Sequence, residues 1–232
     1  MEKKVTWLQG EDYITIEERE ELNQTEWSQI IHKVESKPFP KKRFVLFEPV
    51  SSFKKEDLIE HKYSFIKRRV LVKRELEPFS TTHRFSFSFE GLKRMGVSSF
   101  IEYWNRVIEE SPYQKQNVEQ EWRNLQLELG EDYAKGCFAI FKGDDAIGVV
   151  ILHIEPGTQE EGRIYFWGLF PEYRGKGWAA PIHEQALYML KSHFHAKEYV
   201  GCTDEDHLAM LKVFEENECW VQSKIAIYEK GG

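Results

Sequence analysis

Cysteine is scarce in this chain: Cys137, Cys202 and Cys219 are the only three, and no two form a C-x-x-C pair. That usage excludes a disulfide framework and a zinc cluster, so no metal is expected and all three read as reduced thiols. Long apolar runs are missing too. The longest, Ala146 to Ile154, is far short of a membrane span, and Met1-Glu-Lys-Lys-Val-Thr6 leads into no apolar segment. A cytoplasmic protein with no membrane partner is the expectation. Positive charge is not in surplus: the formal net charge is −7, the opposite of a general nucleic-acid binder, so no nucleic acid is expected. Low-complexity segments and internal sequence repeats are absent as well.

The 232 residues, 41% of them hydrophobic, are enough for a sizeable core. Residues 1–79 read as a small α+β segment of unknown role, with a charged helix over Ile16 to Val34 and strands at Arg43 to Phe47 and Phe65 to Leu76. Breaker signals at Ser36-Lys-Pro-Phe-Pro40 and Glu77-Pro-Phe-Ser80 place the main boundary at the second, so that 80–232 forms the larger domain. The segment is too short for a second copy of that domain and has no R-x-x-G turn.

Beyond the boundary the pattern sharpens. Phe85, Phe87 and Phe89 alternate with serines from Arg84 onward, which predicts a half-buried strand. Val97, Phe100, Ile101, Trp104, Val107 and Ile108 recur at helical spacing, and a more polar helix follows over Val118 to Leu129. Cys137 to Phe141 and Ala146 to Ile154 flank the turn Lys142-Gly-Asp-Asp145, and Pro156-Gly157 leads into Arg163 to Phe170, so three antiparallel strands are expected. A helix through Ile182 to Phe194, a strand Tyr199 to Cys202, a helix capped by Thr203 before Leu208, and a strand Val221 to Tyr228 complete the order. This is an α+β layer design.

The most telling stretch is Phe166-Trp-Gly-Leu-Phe-Pro-Glu-Tyr-Arg-Gly-Lys-Gly-Trp-Ala179, where an apolar strand runs into a Gly-rich basic turn and then a helix. Glycines let successive backbone N–H groups face an anion, and the helix N-terminus favours negative charge. Pro181 fits there because first-turn amides have no intrahelical acceptor.

Arg174-Gly-Lys-Gly177-Trp-Ala179 fits the R/Q-x-x-G-x-G/A signature of the GNAT superfamily of acyl-CoA-dependent N-acetyltransferases. Leu169-Phe-Pro-Glu-Tyr-Arg174 resembles that family's lead-in, and Thr203 to Asn217 its late strand and helix, so the resemblance covers about residues 84–229. It implies a mixed, mostly antiparallel sheet flanked by helices, acetyl-CoA as acyl donor, and an amine acceptor. It further implies that Arg174, Gly175, Lys176, Gly177, Trp178 and Ala179 hold the donor's diphosphate, and that Gly168, Leu169 and Phe170 bond its pantetheine and polarise the thioester carbonyl. Gly168 reads alternatively as a plain strand bulge. His207, where the family often has Asn, reads either as a donor contact or as a solvated helix residue.

Acid and base are less defined. Phe214 stands where many members carry a proton-donating Tyr, and Arg163 where some carry a strand Glu. The catalytic candidates are His153, Glu155 and Tyr165, each of which also reads as an ordinary strand residue; His183 is a weaker one, while His193 and His195 read as surface residues. Arg163 either points into the acceptor groove and favours an acidic substrate or caps a hairpin. The basic stretches Lys41-Lys-Arg43 and Lys67-Arg-Arg69 read first as guards of short strands. The function so implied is acetyl transfer to a primary amine in a ternary complex; the alternative is a CoA-binding sensor on the same fold. A homodimer paired through an exposed edge of the final strands is a family-level expectation.

Overall fold

The computed structural model describes residues 4–77, 85–111 and 117–231. In chain order the elements are β1 (Val5–Gln9), β2 (Tyr13–Glu18), α1 (Gln24–Glu35), β3 (Lys41–Phe47), α2 (Ser52–Glu60) and β4 (Ser64–Glu75). Then come β5 (Ser88–Gly91), α3 (Leu92–Met95), α4 (Val97–Ile108), α5 (Val118–Leu129), α6 (Tyr133–Gly136), β6 (Cys137–Lys142), β7 (Asp145–Ile154) and β8 (Glu161–Leu169). Last are α7 (Ala179–Phe194), β9 (Glu198–Asp204), α8 (Leu208–Glu216) and β10 (Trp220–Lys230). No helix among the described residues is long and apolar enough to cross a membrane.

Two compact units divide the chain, one of Met1–Leu71, Cys202–Leu208 and Val221–Gly232, the other of Val72–Gly201 and Ala209–Trp220. The boundary expected at residues 79 and 80 lies outside the described residues, as does Arg84.

In the first unit β1 and β2 form an antiparallel hairpin, β3 lies parallel to β2, and β10 runs antiparallel to β3. Trp27, Ile30, Ile31 and Val34 form the buried stripe of α1 and pack on Ile14, Ile16, Phe44 and Leu46. The expected helix over 16–34 is corrected: β2 runs to Glu18, and the helix starts only after Asn23. Asn23 and Glu26 form a reciprocal capping box, which fixes that start. Glu18 is drawn into the strand by tertiary partners, since its carboxylate accepts from Leu22 N, Phe47 N and the buried Lys54 ammonium at 2.5 Å. A free edge in the final strand is also corrected: Ile225 to Lys230 pair with β3, and the strand order places β4 on the other flank.

The second unit carries the sheet order β9-β8-β7-β6-β5. Helix α4 buries Phe100, Trp104 and Val107, which with Trp122, Leu125, Ile151, Phe166 and Phe170 form one aromatic-rich core. Each such side chain contributes roughly 1.5–3 kcal/mol through burial, and the 4.9 Å contact of Trp104 with Phe166 adds aromatic packing. The expected strand at 85–89 shrinks to Ser88–Gly91, because Phe85 turns to Tyr188 and Phe87 to Trp178.

Although the sequence shows no repeat, the connectivity recurs. Twice along the chain an antiparallel strand pair is followed by a helix, a strand parallel to the second, another helix and a further strand: β1-β2-α1-β3-α2-β4, and β7-β8-α7-β9-α8-β10. The two differ in how far the parallel strands pair. Between β2 and β3 the ladder covers five residue pairs, Tyr13↔Lys41 to Glu17↔Val45. Between β8 and β9 it covers two, Glu161↔Glu198 and Gly162↔Tyr199, and the strands then part.

Candidate functional site

The turn after β8 is built as its glycines require. A single 3-10 turn, Pro171–Tyr173, brings the chain to Gly175 at φ 71° and Gly177 at φ 73°, and α7 begins at Ala179. An added Cβ on either glycine meets nothing within 4 Å, so the requirement is backbone conformation and not space. Trp178, the N-cap of α7, makes no side-chain capping bond, which leaves the first-turn amides to an outside acceptor. In the first unit the corresponding helix start is closed by the Asn23–Glu26 box and has no glycine before it.

The Arg174 side chain is committed to carbonyls. Its guanidinium donates to Leu169 O at 3.0 Å, Val107 O at 2.6 Å and Glu109 O at 3.0 Å, tying the turn to the end of α4. A cation suits that helix C-terminus, so Arg174 shapes the loop through these bonds. Lys176 lies over the rings of Tyr173 and Trp178 at 4.8 and 5.2 Å, and Lys142, which sequence reasoning missed, lies 3.7 Å over Trp178. Tyr173 and Trp178 stack at 5.9 Å.

Phe170 N donates to Ile147 O at 2.9 Å, so that amide is not available to a ligand. Strand alternation aims Gly168 the same way, toward β7, and aims the amides of Trp167 and Leu169 at the gap where β9 has left. Of the expected set Gly168, Leu169 and Phe170, the amides of Gly168 and Phe170 thus face β7, while that of Leu169, like that of Trp167, faces the gap. Nor is Gly168 a bulge. It pairs in register with Val149, and a Cβ on it would stand 2.5 Å from Val107 Cγ1, so its role is to admit α4 against the sheet. The register shift falls between Ile151 and Leu152 and skips Tyr165, which makes Tyr165 the bulged residue.

That bulge turns Tyr165 toward α5, where its hydroxyl stands 3.5 Å from Glu121 Oε2 and its ring lies edge-on to His153 at 6.2 Å. His153 Nδ1 is 3.0 Å from Ile154 O; a carbonyl only accepts, so the proton sits on Nδ1 and the lone pair on Nε2. Burial holds its pKa down to about 4, so the ring is a neutral acceptor near pH 7. Glu155 is buried, 3.5 Å from Arg163, and Arg163 also bonds Glu161 at 2.7 Å. With two carboxylates around it, Arg163 does not present the net positive charge that an acidic acceptor requires. Glu121 was missed because a Glu beside Trp122 on a polar helix gives no signal of its own; only the bulge makes it a neighbour.

His207 belongs to the first unit and bonds Thr203 Oγ1 at 3.2 Å. Thr203 itself lies in β9, so the expected cap of α8 is corrected. His183 is wholly buried and Phe214 nearly so, packed at 5.5 Å. His193 and His195 are exposed. No group of three or more His, Cys, Asp or Glu residues that could hold a metal occurs among the described residues.

Residues 76–219 match the family model described as the acetyltransferase (GNAT) domain. Similar solved structures include a GCN5-related N-acetyltransferase from Sphaerobacter thermophilus, 12% identical with a TM-score of 0.58, over 97% of this chain and 75% of that one. Another, from Kribbella flavida, is 11% identical with a TM-score of 0.58, over 94% and 82%. A tandem GNAT protein of the clavulanic acid biosynthesis pathway is 9% identical with a TM-score of 0.61, over 94% and 75%. No curated protein matches the chain. With the family model spanning more than half of its length, the chain belongs to the GNAT acetyltransferase family.

Proposed function

We propose that the protein transfers an acetyl group from acetyl-CoA to a primary amine by direct attack in a ternary complex, with the donor held in the second unit alone. The observation that carries this reading is the uncapped start of α7 behind two positive-φ glycines, beside strands that part after two pairs. The amides of Gly175 to Ala179 take the diphosphate, with Lys176 supplying charge. In the gap, the Leu169 and Trp167 amides bond the pantetheine and the thioester oxygen, where one aligned donor is worth on the order of 3 kcal/mol in the transition state. Nε2 of His153, the Glu121–Tyr165 pair and Glu155 are the candidate acceptors for the amine proton. On this reading the reaction runs in the cytoplasm.

Release of free CoA thiol from acetyl-CoA across a panel of amines tests the reading. Turnover with at least one amine, lost in Gly177→Asp, is the expected result. Burial of Phe214 against His183 favours a second reading, a CoA-binding sensor, which predicts tight binding and no thiol release with any amine.

A further inference from the structure

The first unit has its open edge at β1, which ends the strand order; among the described residues no strand lies beyond it. Arg19 N donates to Lys4 O at 2.8 Å and Gly10 N to Tyr13 O at 3.1 Å, so Lys4, Thr6, Leu8 and Gly10 are the residues that exchange bonds with the β2 side. Alternation turns the backbone N–H and C=O of Val5, Trp7 and Gln9 the other way, toward the open side. Such an edge is a template for another strand.

Proteins guard their edges with charge, proline or bulges. β1 uses none of these: Val5-Thr-Trp-Leu-Gln9 carries no charged residue and no proline, and it keeps one register with β2 from Val5↔Glu18 to Gln9↔Ile14. At the other end of the strand order, β5 is guarded by Glu90, which pairs with Arg94 at 2.9 Å. Lys4, next to β1, is committed within its own unit, since its ammonium lies 3.0 Å from Glu26 Oε2 and 3.4 Å from Glu21 O. On the α1 face Val5 is buried and Trp7 packs on the core, with Lys33 Nζ 4.7 Å from its ring centroid. The strand is thus anchored from one face while its outer side stays unguarded.

We propose that β1 pairs antiparallel with β1 of a second copy of this chain, with Trp7 on the two-fold axis. In that arrangement the strand is its own complement. Only outward residues can exchange bonds across the edge, and the register Val5↔Gln9, Trp7↔Trp7 and Gln9↔Val5 uses all of them, whereas a slip of two residues leaves one pair out. No like charges face each other, because the strand carries none. The two Trp7 rings become cross-strand neighbours on the α1 side, and Thr6 faces Leu8 on the other. Lys4 comes opposite Gly10, so the basic start of one strand meets the acidic Glu11-Asp12 turn of its partner, while a parallel pair would bring like ends together. The contact is isologous and consumes the edge, so assembly stops at two. Five residues a side bury far less than the roughly 1,200–2,000 Å² of a stable interface, so the dimer is weak, with a Kd of about 10–100 µM.

Sedimentation velocity of the full chain from about 1 to 500 µM tests the pairing. Wild type should pass from monomer to dimer over that range, and Gln9→Pro should weaken the dimer by about tenfold or more. Gln9 is exposed and its outward N–H makes no bond to β2, so proline fits there without opening the hairpin, and an unchanged Tm separates lost pairing from lost fold. Register has its own readout. Trp7→Cys sets two thiols at the axis, where paired Cα atoms stand about 5.5 Å apart and within disulfide reach, whereas Gln9→Cys sets them about 14 Å apart. Mild oxidation should crosslink the first above the wild-type background and not the second. Wild type monomeric throughout would overturn the proposal and leave the edge to a foreign strand. A Gln9→Pro dimer as tight as that of wild type, or species larger than two, would overturn it as well, and equal crosslinking of the two cysteine variants would overturn the register.

Discussion

Two buried imidazoles make stability depend on pH in a calculable way. Burial holds His153 to about 4 and His183 to about 3, against an ordinary value of 6.5. Arg163 also lowers His153, opposed by Glu161 and the Ile154 carbonyl, and Arg74 also lowers His183. Below pH 6.5 each ring gains a proton in the unfolded chain and stays neutral in the folded one. The unfolded state therefore binds more protons, and stability falls as pH falls. Near pH 5 each ring contributes a slope of about 1.4 kcal/mol per pH unit, and from pH 7 to pH 5 the pair removes about 4 kcal/mol. Urea unfolding at half-unit pH intervals measures that slope. His153→Gln and His183→Gln should each flatten it by about one proton. Slopes equal to wild type in both variants would show that the rings titrate normally and would refute the burial argument.

In the first unit, Glu18→Gln strips the buried Lys54 ammonium of its counter-charge and should cost about 3–5 kcal/mol in urea unfolding, with much of the loss recovered when Lys54→Met is added. Gly168→Ala places a methyl 2.5 Å from Val107 Cγ1 and should cost about 1–3 kcal/mol; Val107→Ala in the same chain should relieve it, and additive losses would contradict the close approach.

Where hydrophobic period and turn chemistry agree, the elements were legible. Helices α4 and α5 take the expected bounds, and the strands and helices from β6 to β10 stand within a few residues of expectation. The glycine turn was readable because Gly175 and Gly177 state a backbone requirement locally. The first hairpin was hidden: β2 ends in charged residues, and Glu18 joins the strand only because Lys54 and two amides meet it. Strand separation and the Tyr165 bulge are properties of pairs of strands, so no single segment announces them. For the same reason Glu121 and Trp167 gave no signal in the sequence. The bonds of Arg174 were equally hidden, because a guanidinium beside three carbonyls is a tertiary fact.

Calorimetric titration with acetyl-CoA, run in parallel on wild type and Gly177→Asp, tests the central claim most directly. The account predicts one site per chain, because the first unit has its parallel strands zipped over five pairs and its helix start capped, and it predicts loss of that site in a variant that remains folded by circular dichroism. Two sites per chain, equal affinity in the variant, or no binding by folded wild type would contradict it.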